Sequence, residues 1–269
     1  MPKARHMKRP VTCFESGKAF SSTSQSSRTI IRRFHLLLKR RAQLQDAQTR
    51  DAEHLKALED IEVQITHLGG LERYQHVSAV GQRKDRGGGS ETILIKWLKN
   101  LGLNDLKKWQ ARLQLLEVGA LKPDNYKSCS SWIDATPIDL RSRHPSILEQ
   151  DFLLLDEAKN REKWDSITLS LVLNFVPDAR DRGRMLRLAH NMLSPDGYLF
   201  LALPLPCVTN SRYLNFTHLK ALMEASGFLE LECKWRRDGK MAYWLYQKQN
   251  FQKKSVLHQG NRNNFCILL

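Results

Sequence analysis

Hydrophobic positions change their spacing several times along the chain, and each change marks a different kind of element. Residues 1–27 carry no apolar period: Pro, Ser, Thr and basic residues mix, and the cluster Ser21, Ser22, Ser24, Ser26 and Ser27 has no face to bury, so this stretch predicts a disordered basic tail. From Arg28 onward Ile30, Ile31, Phe34, Leu37 and Leu38 recur at helical spacing while Arg32, Arg33, Lys39, Arg40 and Arg41 fill other positions, the pattern of a basic amphipathic helix. A second helix follows, with Leu55, Leu58, Ile61, Ile65 and Leu68 on one stripe and Gly69-Gly70 as its stop. The segment RKDRGGGS, residues 83–90, reads as a flexible linker. A Gly-rich loop before a helix can also cradle an anion, but the P-loop spacing and its lysine are missing. Ser90 is placed to cap a helix in which Ile93, Leu94, Trp97, Leu98 and Leu101 face inward.

Beyond residue 113 the rhythm becomes that of a parallel sheet with crossover helices. Leu113–Val118 (LQLLEV) is an almost continuous apolar run, as buried parallel strands are. Further strands are expected at Thr136–Leu140, at Trp164–Phe175 and at Tyr198–Leu203, the last after the turn Pro195-Asp196-Gly197, with Arg180–Leu193 as the helix between the final two. A helix over Phe216–Ala225 stops at Gly227, and two strands, Phe228–Trp235 and Met241–Tyr246, flank the hairpin dipeptide Asp238-Gly239. The fold class is therefore α/β, a Rossmann-like sheet that is mostly parallel with an antiparallel C-terminal edge, preceded by a basic helical N-terminal region. The expected organisation is a tail over 1–27, a helical region over 28–110, the α/β domain over 111–248 and a disordered C-terminal tail over 249–269.

Charge changes the picture more than composition does. With 41% apolar and 26% charged residues the chain has ample material for a core, which excludes global disorder. Lys and Arg number 43 against 28 acids, a formal +15 that attracts polyanions. The first fifty residues hold twelve of those bases and only Glu15 and Asp46 as acids, so most of the excess forms a basic arm on a nearly neutral body. Nucleic-acid binding accounts for such an arm; so does a solubility or localisation role alone. No run reaches the roughly 18 apolar residues of a membrane span, and no apolar stretch follows the N-terminal charges as in a secretory signal. The five cysteines, Cys13, Cys129, Cys207, Cys233 and Cys266, are odd in number and scattered, as in a reducing compartment.

Candidate chemistry follows from the first strand, because open α/β sheets bind ligands at the carboxyl ends of their strands. Gly119 ends that strand, and Asp139 lies twenty residues on, at the end of the next, the distance at which an acid binds a ribose hydroxyl. The residues after Gly119 are Ala120, Leu121, Lys122 and Pro123, so the G-x-G-x-x-G that admits a pyrophosphate is absent. A nucleoside ligand without phosphates remains, and S-adenosylmethionine is the common one. Glu117 sits within an apolar strand, where an unpaired charge costs several kcal/mol; it either faces the pocket, near a ligand amine, or finds a partner. Asn174, Phe175 and Pro177 fall at the end of the Trp164–Phe175 run, where Asn174 serves the pocket or caps the next helix near Asp178. His144 and His190 read as ordinary surface residues.

In order, LLEVGAL, PIDL, EQDFL, WDSITLSLVLNFVPD and MLSPDGYLFLALP resemble the motif series of class I S-adenosylmethionine-dependent methyltransferases. With GGLERYQHVS, GQRKDRGGGS, LVLNFVPDARDRGRML and LPLPCVTNSRY, the chain from about residue 28 to about 248 is similar to the fungal family that methylates N1 of an adenosine in 25S ribosomal RNA. The resemblance implies Gly119 and Asp139 as cofactor-binding residues, with Asp151 and Phe152 beside the adenine, though the first motif keeps only one of its usual glycines. It names no catalytic residue. It also implies S-adenosylmethionine as cofactor, 25S ribosomal RNA or a pre-60S particle as partner, no membrane, and a place in the nucleus and nucleolus. Two readings compete with it: a non-catalytic S-adenosylmethionine sensor of the same fold, and a prenylated chain, since Cys266-Ile267-Leu268-Leu269 fits C-a-a-X.

Overall fold

A computed structural model of the chain describes residues 24–46, 51–73, 76, 89–105, 111–142, 144–249 and 265–269. The expected tail up to residue 23, the Gly-rich loop up to residue 88 and residues 250–264 lie outside them. The first two helices, α1 (Ser24–Asp46) and α2 (Ala52–His67), form a hairpin. Asp51 caps α2 by accepting the His54 N–H at 2.8 Å. Phe34 and Leu37 of α1 meet Ile61 and Ile65 of α2 in a small core of their own, and Arg41 pairs with Glu62 at 2.9 Å on the rim.

The body is a seven-stranded sheet ordered β3-β2-β1-β4-β5-β7-β6. Its strands are β1 (Leu113–Val118), β2 (Ile133–Asp139), β3 (Leu148–Glu149), β4 (Trp164–Ser170), β5 (Leu193–Pro204), β6 (Phe228–Trp235) and β7 (Met241–Lys248). All neighbours from β3 across to β5 are parallel, whereas β7 runs antiparallel to both β5 and β6. The helices α3 (Glu91–Asn100), α4 (Glu157–Asn160), α5 (Ala179–Met192), α6 (Pro206–Thr209) and α7 (Phe216–Ala225) complete it.

Alternation along the strands divides the core into two layers. Leu116, Val118, Leu199, Leu201, Leu203 and Trp244 point to the face covered by α5 and α7. Leu113, Leu115, Phe200 and Leu245 point to the other face, which α3 closes with Leu94, Trp97 and Leu98. The sheet's core thus draws on chain from both sides of the boundary expected at residue 110. Several expected limits shift for local reasons. β4 ends at Ser170, not Phe175, because Leu171 turns into the left-handed region at φ 59. The two-residue β3 had no hydrophobic signal, both its residues being exposed. The turn expected at 195–197 is absorbed into a longer β5. His190 is half-buried rather than a surface residue: its Nε2 lies 3.0 Å from the Gln249 carbonyl, its ring meets Phe228 edge-on, and burial lowers its pKa.

Candidate cofactor pocket and its rim

The parallel strands deliver their carboxyl ends to one rim. At the end of β1, Gly119 takes φ +76, a conformation that glycine adopts without steric cost. Its N–H and that of Ala120 both reach the Ile138 carbonyl, at 2.8 and 3.0 Å, which binds this turn to β2. A Cβ here would come within 2.8 Å of Val172 Cγ2, so any side chain would strain the backbone and close the gap towards β4. Asp139 is half-buried at the end of β2, one strand spacing away, about 4.8 Å. Its Oδ1 accepts the Arg141 N–H at 2.9 Å and its carbonyl accepts the Gln150 N–H at 2.9 Å. Gly119 and Asp139 are therefore neighbours at the mouth, as their spacing implied.

The other pair sits differently. Asp151 caps a single 3-10 turn, Phe152–Leu154, by accepting the Leu153 N–H at 2.8 Å. Phe152 is buried among the core side chains on the α5 and α7 face of the sheet.

Of its two alternatives Glu117 has the partner, and it stands two residues before the Gly119 turn. It points to the α3 face and is 9% exposed, and its Oε1 accepts from Asn125 Nδ2 at 2.6 Å. Burial raises its pKa from 4.5 to about 7; the Asn125 hydrogen bond opposes that, while Glu91 and Asp124 reinforce it. Glu91 comes from the first turn of α3, and acids in a first helical turn are ordinary complements of the helix dipole, so nothing in the sequence singled it out. Ser90, expected to cap α3, makes no cap hydrogen bond. Its hydroxyl instead meets that of Ser170 at the end of β4, which carries the end of the Gly-rich segment to the rim. The buried Glu117 and the partly buried Glu91 together form an acidic corner beside Gly119, an environment that favours a cationic ligand group.

Across the rim, Asn174, Phe175 and Pro177 lie in the loop after β4. The cap of α5 is Asp178, whose carboxylate accepts the N–H groups of Arg180 and Asp181. Asn174 is thereby released from capping. Its Oδ1 is buried and, among the described residues, accepts no hydrogen bond. Arg182 holds this loop: Nε reaches the carbonyls of Leu173 and Val176 at 3.1 and 2.8 Å, Nη2 that of Pro177 at 3.0 Å, and Nη1 that of Cys266 at 2.6 Å. The Phe265 ring lies 4.6 Å from the guanidinium, and burial lowers the pKa of Arg182.

Those last contacts change the expectation for the C-terminal end. Residues 265–269, expected within a disordered tail, are seated on the domain. Ser211 donates to the Phe265 carbonyl at 2.6 Å and accepts the N–H groups of Tyr213 and Leu214, both at 3.1 Å. The Leu268 N–H reaches the Ala179 carbonyl at 2.9 Å, and Ile267 is buried. The backbone can approach because Gly183 has no side chain: a Cβ there would stand 1.8 Å from the Leu268 oxygen. The tetrapeptide that fits a prenylation pattern is thus packed into the fold. No sequence signal pointed to this contact between Arg182 and the segment, since an Arg in a helix reads as a solvated charge and the last four residues read as a C-a-a-X pattern.

Among the described residues no group of three or more His, Cys, Asp or Glu could hold a metal ion, and no helix is long and apolar enough to cross a membrane. The family model described as "25S rRNA (adenine(2142)-N(1))-methyltransferase, Bmt2" matches residues 59–267. The 25S rRNA (adenine(2142)-N(1))-methyltransferase of Saccharomyces cerevisiae is 36% identical over 267 residues, covering 95% of this chain and 76% of the relative. The 25S rRNA adenine-N(1) methyltransferase of Schizosaccharomyces pombe is 34% identical over 259 residues, covering 89% and 91%. Among solved structures, a Burkholderia thailandensis 1,6-didemethyltoxoflavin-N1-methyltransferase superposes with a TM-score of 0.48 at 15% identity, over 76% of this chain and 93% of that one. With a family match across most of its length and two relatives above 30% identity, the chain belongs to the Bmt2 family of 25S rRNA (adenine-N(1))-methyltransferases.

Proposed function

We propose that this chain is an S-adenosylmethionine-dependent methyltransferase that methylates N1 of an adenosine in 25S large-subunit ribosomal RNA. The observation that carries the reading is the acidic corner of the buried Glu117 and the partly buried Glu91 beside the left-handed Gly119, in a member of this family. The residues fit the cofactor: Gly119 leaves room where a Cβ would meet Val172, Asp139 stands where ribose hydroxyls need an acceptor, and the acidic corner suits the methionine ammonium. Bound there, S-adenosylmethionine supplies an electrophilic methyl group.

The rest of the reaction is positioning. Adenine N1 carries an in-plane lone pair, so no proton has to be removed before it attacks, and the rim needs no general base. The base must present its Watson-Crick edge and so must be unpaired or flipped from its stack. The buried Asn174 Oδ1 without a donor suits the N6 amino group next to N1, and Phe175 in the same loop supplies an aromatic face. Asp178 is committed to capping α5 and leaves the product's positive charge to other groups. A sensor of the same fold would need no orphan acceptor at this rim, which favours the enzyme. Because N1 closes off once the RNA pairs, we also place the reaction on pre-60S particles in the nucleolus. The test is reverse transcription over the large-subunit RNA of a deletion strain. Loss of one stop at an adenosine, restored by this chain but not by a Gly119→Arg form, is expected; an unchanged stop pattern would overturn the reading.

A further inference from the structure

The hairpin joining β6 to β7 lies on the same rim as the pocket. β7 is antiparallel to β5, and its first residue, Met241, pairs with Pro204 at the carboxyl end of β5. The turn before it is fastened there by the Leu205 N–H, which reaches the Lys240 carbonyl at 2.8 Å. Residues 234–240 read KWRRDGK, four bases against one acid, and Lys234, Trp235, Arg236, Arg237 and Lys240 are all exposed. Among the described residues no ion pair engages these bases.

Among the described tryptophans Trp235 stands apart. Trp97, Trp132, Trp164 and Trp244 are at most 6% exposed, whereas Trp235 is 46% exposed. Its ring rests against Phe216 at 5.0 Å, which supports it from the protein side. A rigid half-exposed indole amid four cations is the combination that grips single-stranded nucleic acid: phosphates meet the bases of the tip and a nucleobase stacks on the ring. The β6 strand lies three strand spacings from β4, about 14 Å, so the tip stands a few nucleotides from Asn174.

We propose that this hairpin tip binds the single-stranded RNA flanking the target adenosine, with Trp235 stacking on a neighbouring base and Arg236, Arg237 and their neighbours holding its phosphates. The inference rests on the RNA reading above and adds a site to it. It uses neither the basic arm nor the cofactor pocket.

The test is steady-state methylation of a large-subunit RNA transcript by full-length protein, with KM for RNA and kcat measured separately and S-adenosylmethionine affinity by calorimetry. The double variant Arg236→Glu, Arg237→Glu changes only exposed side chains and is expected to raise KM by about tenfold or more, as weaker neutralisation of the RNA backbone does. Trp235→Ala should raise it by about tenfold, the scale of one base stack removed, while Trp235→Phe should keep most of the affinity. In each case kcat at saturating RNA and cofactor affinity should match wild type. Lys159→Glu, far from this rim, controls for charge alone. An unchanged KM in both the charge variant and Trp235→Ala, with active wild type, would overturn the proposal. Loss of activity on pre-60S particles but not on the naked transcript would overturn it in favour of a protein contact. Wild-type protein inert towards both substrates would sink the RNA reading itself, and this site with it.

Discussion

The helical hairpin and the sheet use opposite solutions to the same problem of presenting charge. In α1 and α2, four buried side chains, Phe34, Leu37, Ile61 and Ile65, hold two helices while Arg33 and Arg40 stay exposed. Exposed cations cost little to keep charged and act over a Debye length, so they supply affinity without register. Beside the Gly119 turn and under the loop after β4 the charges are instead few and buried, Glu117 and Arg182, and their desolvation is offset only in one geometry. Diffuse attraction and local chemistry are thereby separated in the chain, and each can be damaged without the other.

The sharpest separation should come from Gly119→Arg. A long side chain at φ +76, with Val172 already 2.8 Å from a bare Cβ, should abolish S-adenosylmethionine binding in calorimetry while RNA retention on filters stays near wild type. Intact cofactor affinity in the folded variant would move the pocket elsewhere.

Next in size is Arg182→Met, which leaves four carbonyls without their shared donor and should lower stability in urea denaturation by several kcal/mol, since each buried acceptor left unsatisfied costs about 1–3 kcal/mol. Gly183→Ala tests the same buckle more gently, since its methyl group must displace the Leu268 backbone. It should cost about 1–3 kcal/mol and lower kcat with cofactor affinity unchanged. A stability equal to wild type would mean that residues 265–269 hold nothing in place.

Glu117 adds a pH dependence of definite sign. Its folded pKa is raised from 4.5 to about 7, so between those values the folded protein keeps a proton that the unfolded chain has released. Stability of the ligand-free protein should fall across that window, by on the order of 3 kcal/mol in total, and the loss is complete above about pH 7. Glu117→Gln should flatten this part of the profile in thermal melts, and cofactor binding, which favours the carboxylate, should lose its rise between about pH 6 and 8. A wild-type profile in the Gln variant would assign the effect to another group.

Smaller again is Asp139→Ala, expected to weaken S-adenosylmethionine by about 1.5–3 kcal/mol, the worth of a hydrogen bond to a charged group; full affinity would point to another acid for the ribose. The smallest effect belongs to the hairpin. Truncating residues 1–50 would remove α1 and uncover Ile61 and Ile65, so exposed charges are the better target. Arg33→Gln with Arg40→Gln should flatten the slope of log RNA affinity against log salt by about 0.7 for each phosphate no longer neutralised, with cofactor affinity untouched. An unaltered slope would mean that these two side chains touch no phosphate.

Local pattern determined much of this molecule. The apolar run of β1, the turn dipeptide between β6 and β7 and the helical stripes of α1, α2 and α7 are consequences of near-neighbour chemistry, as is the spacing that brought Gly119 and Asp139 together, because a strand and its successor in a parallel sheet have little choice of partner. What the tertiary structure alone decided depends on residues far apart in sequence meeting in a low dielectric. Glu91 acquires meaning only when α3 closes over β1 and sets it beside Glu117. Asn174 becomes an orphan acceptor only because Leu171 ends the strand early and Asp178 takes the cap. Arg182 and residues 265–269 stand 84 positions apart at the Cys266 contact, and no periodicity records that Gly183 leaves room for a backbone to dock. Burial, which turns an ordinary charge into a strongly placed one, is a property of the assembled fold and not of any window of sequence.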